Sequence, residues 1–211
     1  MMQIRRTRQL AALLPQLLLL ATLSGCASVP PEQRVASDPW EPMNRTIYGF
    51  NTVVDNVTLK PLAKGYDAVL PSPVRTGIRN FFSNLLTPIR FVNCVLQGKG
   101  NAAAEEVARF VTNTTLGVLG FWDPALDLYE IQINNEDLGQ TLGAYGIGSG
   151  FYLVWPVLGP STLRDTVGFF GDLTVNPINY LEPTSLSVGV GLYRRFNDLS
   201  LRIGDYEAII Q

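Results

Sequence analysis

Apolar residues recur along this chain mostly at helical spacing. Val74, Ile78, Phe81, Phe82, Leu85 and Leu86 fall at i, i+4, i+7, i+8, i+11 and i+12, while Arg75, Arg79, Asn80 and Ser83 take the other side. That is the stripe of an amphipathic helix, and on pattern alone it reads as a core-facing one. Thr87-Pro88 then sets an N-cap and a first-turn proline. The helix it predicts runs through Ile89, Phe91, Val92, Val95 and Leu96 to a stop at Gly98. Asn101 is expected to open the next helix, with Glu105 and Glu106 in its first turns and Arg109 four residues after Glu105. Asp38-Pro39 and Asp123-Pro124 repeat the start signal. Near the end, Phe196, Leu199, Ile203, Tyr206 and Ile210 follow a 3-4-3-4 seam. One region departs from this pattern. From Gly139 to Pro156, two short β-prone runs flank Gly146-Ile147-Gly148-Ser149-Gly150, which predicts a glycine-rich hairpin.

The first 26 residues have a different character. Arg5, Arg6 and Arg8 precede a mostly apolar run, Leu10 to Leu23, too short to span a bilayer and flanked like an export signal. Leu23-Ser24-Gly25-Cys26 resembles the bacterial lipobox, whose cysteine is acylated. The expected organisation is therefore a signal peptide over residues 1–25, a lipidated tether over 26–37 carrying Pro30-Pro31, and a single folded unit over 38–211. Ala27 after the cysteine, in place of Asp, favours the outer membrane. With Cys26 committed to lipid, Cys94 has no intramolecular partner, and its apolar neighbours predict a buried, inert thiol.

Composition narrows the chemistry. Of 211 residues 16% are charged, below the roughly 25% usual in soluble domains. The net charge of −2 argues against nucleic-acid binding. Histidine is absent, which removes Ser-His-Asp and Cys-His catalysis and any histidine-ligated metal. Asp123, Asp127 and Glu130 lie close in sequence but read as a capping or solvated face, and no Lys-Ser/Thr follows the glycines as a phosphate loop requires. No metal, cofactor or catalytic set is proposed by the residues.

Several blocks carry a family resemblance. Ser37-Asp38-Pro39-Trp40-Glu41-Pro42-Met43-Asn44-Arg45, Gly77-Ile78-Arg79-Asn80-Phe81, Asp123-Pro124-Ala125, Glu136-Asp137-Leu138-Gly139-Gln140-Thr141-Leu142-Gly143 and Leu158-Gly159-Pro160-Ser161-Thr162-Leu163-Arg164-Asp165 resemble motifs of the VacJ/MlaA outer-membrane lipoproteins. The resemblance implies a mainly α protein whose amphipathic helices form a ring in the membrane plane around a central channel. It implies removal of phospholipids mislocalised to the outer leaflet of the outer membrane, and no chemistry on the lipid. The implied partners are a trimeric porin and a soluble periplasmic carrier that feeds an inner-membrane ATP-driven transporter. The chain ends soon after Asp205-Tyr206-Glu207, where family members usually continue.

A channel for a two-tailed lipid needs an apolar wall for the tails and a cationic one for the phosphate. Arg75, Arg79, Arg90, Arg109 and Arg164 are the candidates for the latter, because a guanidinium matches phosphate geometry. Gly146, Gly148 and Gly150 are the candidate hinge or gate, since alternating glycines free the backbone. The Val74–Leu86 stripe is expected to meet acyl chains. The competing reading is a lipidated adaptor that scaffolds porins or envelope complexes without moving lipid.

Overall fold

The computed structural model describes residues 38–210, with side chains described through Arg202. The signal and tether assigned to residues 1–37, Cys26 among them, lie outside the described residues. In chain order the elements are α1 (Glu41–Val54), a π-helical turn (Asp55–Leu59), α2 (Lys60–Val69), α3 (Ser72–Leu85), α4 (Thr87–Leu96) and α5 (Gly100–Thr115). There follow the one-turn α6 (Pro124–Asp127), α7 (Leu138–Ala144), β1 (Tyr152–Trp155), β2 (Gly159–Thr162), α8 (Leu163–Asp172), a 3-10 turn (Pro177–Tyr180) and α9 (Thr184–Ile210). The fold is mainly helical, with one antiparallel two-stranded sheet.

The proline signals placed helix starts well but misassigned some of the caps. Asp123 caps α6 as expected, accepting from Leu126 N–H at 3.1 Å. Thr87 does not cap α4: the N-cap is Leu86, Thr87 is the first helical residue, and its hydroxyl accepts from Arg90 Nη2 instead. Asn101 is likewise inside α5, whose N-cap is Lys99. At α1, Asp38 accepts from Trp40 N–H at 3.0 Å, and the helix starts at Glu41.

Which face of each helix packs is the larger departure. In α4 the buried residues are Thr87, Arg90, Asn93 and Cys94, and in α5 they are Ala103, Glu106, Arg109 and Asn113. The apolar residues Val95, Leu96, Val107, Phe110 and Val111 are exposed instead. In α3, Arg75 and Asn84 are buried while Val74 is exposed, so its stripe is only partly turned inward. Glu106, Asn197 and Thr141 are each 0% exposed, whereas Val69 is 79% and Val57 71% exposed. A buried polar face is stable only when its groups find partners. They do here. Asn93 donates to Asp172 at 2.9 Å and accepts from Thr141 at 2.8 Å, joining α4, α7 and α8.

α9 packs across α2 and α3. Asn197 donates to Arg75 O at 2.9 Å and accepts from Tyr66 OH at 3.0 Å, and Phe196 meets the Tyr66 ring edge-on at 5.3 Å. Burial and the Tyr193 hydroxyl push the Tyr66 phenol up to about 12. At α7 and α8 the helices cross closely because Gly168 faces Gly139: a Cβ on Gly168 would lie 2.2 Å from Gly139 N. The hairpin is present but displaced. Thr141, Leu142 and Ala144 belong to α7, and β1 pairs with β2 in the register Tyr152↔Thr162 to Trp155↔Gly159. The glycine run is thus the loop entering the hairpin, and the turn itself is Pro156-Val157-Leu158. Seven residues of helix can form before Gly146 because Asp137 caps them, accepting from Gln140 N–H at 2.7 Å. That local bond outweighs the β preference of the run.

Candidate functional site: a charged cavity between the helices

A cavity of about 960 Å³ opens between α3, α4, the α5–α7 connection and α9. Its size is near the upper end for small-molecule sites. Phe82, Leu86, Ile89, Phe121, Trp122, Leu126 and Ile133 supply apolar wall. Five arginines and five carboxylates also line it, so the charge is balanced in sum. Its distribution is uneven, because most of the charges are already bonded to protein.

Arg90 is fully engaged. Its Nε meets Glu106 Oε2 at 2.7 Å, Nη1 donates to Ser83 O at 3.0 Å and Nη2 to Thr87 Oγ1 at 2.9 Å. The other Glu106 oxygen accepts from Asn134 N–H at 2.7 Å, so the pair fastens the loop before α7 to both helices. Arg109 donates to Ile131 O and to Asp123 Oδ2, and Asn113 reaches the second Asp123 oxygen at 2.8 Å. Glu136 is held by Lys99 at 2.7 Å and Gln97 at 2.8 Å, and the Lys99 hydrogen bond draws its carboxyl below the usual range.

The remaining cations are different. Arg79 projects from α3, and Arg194 and Arg202 stand on α9 with Asp198 between them at i, i+4 and i+8, one face of the helix. Arg79, Arg194 and Arg202 form no hydrogen bond or ion pair with the described residues. Arg194 Nε and Asp198 Oδ1 are enclosed without partners. Burial raises the Asp198 pKa, outweighing the downward pull of Arg194, Arg202, Arg79 and Arg195. Burial and Arg194 lower that of Arg195. Three unspent guanidinium groups around one reluctant carboxylate give this part of the cavity a positive excess.

Of the five arginines expected from sequence, Arg79, Arg90 and Arg109 line the cavity. Arg75 does not: it is buried between α2 and α9, donating to Ser200 O at 2.8 Å and pairing with Asp67. Arg164 lies beside Gly143, paired with Asp165 at 3.0 Å. Nor do Gly146, Gly148 and Gly150 line it. Gly146 has φ +86° and Gly150 φ +70°, conformations that side-chain-bearing residues rarely adopt, and a Cβ on Gly148 would meet nothing within 4 Å. Sequence reading passed over Arg194, Asp198 and Arg202. Their four-residue spacing was the available signal, running beside the apolar seam of the same helix. Backbone strain also marks the cavity mouth. Val118, Leu119 and Gly120 take consecutive left-handed conformations just before Phe121 and Trp122. Among the described residues no group of three or more Cys, Asp or Glu could hold a metal, and no helix is long and apolar enough to cross a membrane.

Residues 36–211 match the family model described as MlaA lipoprotein. An uncharacterized protein of Rickettsia typhi is 34% identical over 172 residues, covering 80% of this chain and 68% of its own. The intermembrane phospholipid transport system lipoprotein MlaA of Haemophilus influenzae is 36% identical over 160 residues, 74% of this chain and 64% of its own. Its Escherichia coli K12 namesake is 40% identical over 154 residues, 71% of this chain and 61% of its own. A solved structure described as the structural basis for maintenance of bacterial outer membrane lipid asymmetry superposes with a TM-score of 0.71 at 34% identity, covering 80% of this chain and 86% of that one. Because the matched residues include every helix that walls the cavity, the chain belongs to the MlaA lipoprotein family.

Proposed function

We propose that this protein is a phospholipid channel of the outer membrane. It takes phospholipids misplaced in the outer leaflet and passes them to a soluble periplasmic carrier, maintaining lipid asymmetry, as part of retrograde transport between the membranes. The observation that carries the reading is the inverted body: a polar interior around a cavity with three arginines that have no partner among the described residues, inside a surface of exposed apolar side chains. An apolar exterior is stable against acyl chains and costly against water, at about 25 cal/mol per Å². Arg79, Arg194 and Arg202 are assigned to the lipid phosphate, and Phe121, Trp122 and Leu126 to the first acyl carbons. Arg90 and Arg109 hold the wall and do not bind lipid. The helices are arranged as a ring in the periplasmic leaflet, anchored through acylated Cys26 and held beside a trimeric porin. The glycine loop 146–150 acts as the hinge of the hairpin, outside the wall. No bond of the lipid is made or broken.

The direct test is outer-leaflet phospholipid in cells lacking the gene and in cells carrying Arg194→Glu with Arg202→Glu. Accumulation in both is expected. Normal asymmetry in the deletion strain would leave a scaffold for porins as the function and remove the channel.

A further inference from the structure

Asn44 and Asn51 stand seven residues apart on α1, on one face, and each turns its side-chain amide toward the main chain of the hairpin. Asn44 Nδ2 donates to Tyr152 O at 2.9 Å, and its Oδ1 accepts from Val154 N–H at 2.9 Å. Asn51 repeats the arrangement further along. Its Nδ2 donates to Trp155 O at 3.0 Å, and its Oδ1 accepts from Val157 N–H at 2.8 Å. The repeat works because the pitches agree. Seven helical residues advance about 10.5 Å, and the three from Tyr152 to Trp155 advance about 10 Å. A primary amide can present an N–H and a carbonyl oxygen side by side, as a neighbouring strand would, so Asn44 satisfies the free edge of β1 and Asn51 the chain where it leaves for the turn.

The two points differ in what they hold. Asn44 is buried and also donates to Asp38 at 3.2 Å, which fixes the upper end. Asn51 grips the chain where β1 leaves for its turn. There Val157, a β-branched residue, sits at φ +65°, a strained conformation that needs an external hold. Apart from the π-helical turn that continues it, α1 packs mainly on β1, so these four bonds are much of what ties the hairpin to the N-terminal helix. On its other side β2 runs directly into α8, whose Asp172 accepts from Leu138 N–H at 3.0 Å, next to the cavity-lining Glu136 and Asp137.

We propose that Asn44 and Asn51 are positioning residues: a two-point clamp that sets the orientation of the hairpin against its glycine hinge, and so the passage of lipid beside α7. The proposal rests on the transport reading above. Its first test does not. Amide hydrogen exchange at Val154 and Val157 is measured in the detergent-solubilised full-length protein carrying Asn44→Ala or Asn51→Ala. Asn44→Ala is expected to speed Val154, and Asn51→Ala Val157, by roughly tenfold or more, with amides of α4 and α5 unchanged. Asn51→Gln, which keeps the amide, is expected to restore part of the protection. If Asn44→Ala fails to fold, Asn51→Ala, at a half-buried site, carries the test alone. Unchanged exchange at both positions overturns the clamp. The second readout is outer-leaflet phospholipid per folded protein, expected to rise severalfold in the Asn51→Ala strain and to return toward normal with Asn51→Gln. Faster exchange with normal lipid, in a strain set where Arg194→Glu with Arg202→Glu still causes accumulation, overturns the positioning role and leaves the channel standing. Normal lipid in all of them removes the transport reading itself.

Discussion

The cavity takes arginines from two parts of the chain, and the two parts use them in opposite ways. On α4 and α5, Arg90 and Arg109 are deeply buried and their ion pairs and hydrogen bonds hold neighbouring segments in place. On α9, Arg194 and Arg202 are less buried, have no partner among the described residues, and flank a carboxylate whose pKa burial has raised. A buried cation already held by a carboxylate and a carbonyl has little left to offer a ligand, even with Arg109 Nε enclosed without a partner, whereas an unpaired one keeps its donors and gains from an arriving anion. Facing the cavity is therefore a poor guide to role; the bonds already made are the better one.

Mutation of the two groups separates them, beginning with the largest effect. Glu106→Gln leaves Arg90 without its counter-charge in a buried setting and is expected to cost about 3–5 kcal/mol in denaturant unfolding. Adding Arg90→Met should recover part of that loss, with the remainder assigned to the buried amide N–H2 left without an acceptor, while the amide oxygen keeps Asn134 N–H. Arg109→Met should cost less, about 1–3 kcal/mol, since Asp123 keeps Asn113 and the α6 cap. Faster proteolytic nicking between residues 128 and 136 would accompany it.

Arg194→Glu with Arg202→Glu reverses the pattern. Unfolding should change by about 1 kcal/mol, because no hydrogen bond or ion pair with the described residues is lost and the like charges placed beside Asp198 cost a few tenths of a kcal/mol each. Outer-leaflet phospholipid should rise toward the level of the deletion strain. An equal loss of stability in the α4–α5 and α9 variants would erase the distinction drawn here.

Asp198→Asn sharpens it with the smallest effect. The native pKa of Asp198 is raised, so its contribution to stability is complete below the unfolded carboxylate value of about 3.9 and is lost as pH rises through the native value. The asparagine variant should therefore lose less stability than wild type over that rise. At neutral pH it should be as stable as wild type or slightly more so, by less than about 1 kcal/mol. A steeper loss on raising the pH would mean that the arginines, not burial, dominate that carboxylate.

Much of this was legible along the chain, though unevenly. Helix starts at Pro88 and Pro124 and the stop at Gly98 were readable because a fixed proline φ and a left-handed glycine act within one turn. Cys94 was expected to be buried and is 0% exposed. Of the cavity, Arg79, Arg90 and Arg109 were named from residue type, but nothing local distinguishes the free cation from the bonded ones. Glu106 lies 16 residues from Arg90, and Asp123 lies 14 from Arg109.

By itself the sequence determined where several of the helices begin and end, that a β-prone run follows the glycine cluster, that histidine chemistry is absent, and the motifs that carry the family. Those are properties of dihedral preference, short-range bonding and residue identity, and they act over a few residues. Tertiary structure alone decided which face of each helix turns inward. An amphipathic stripe records that two faces differ, and it is silent on which of two surroundings each meets. In α4 and α5 the polar faces won the interior, because Arg90, Asn93, Glu106 and Asn113 find partners there on segments distant in sequence. The same long-range closure placed Asn44 and Asn51 on the edge of β1, 108 and 104 residues away from the carbonyls they hold.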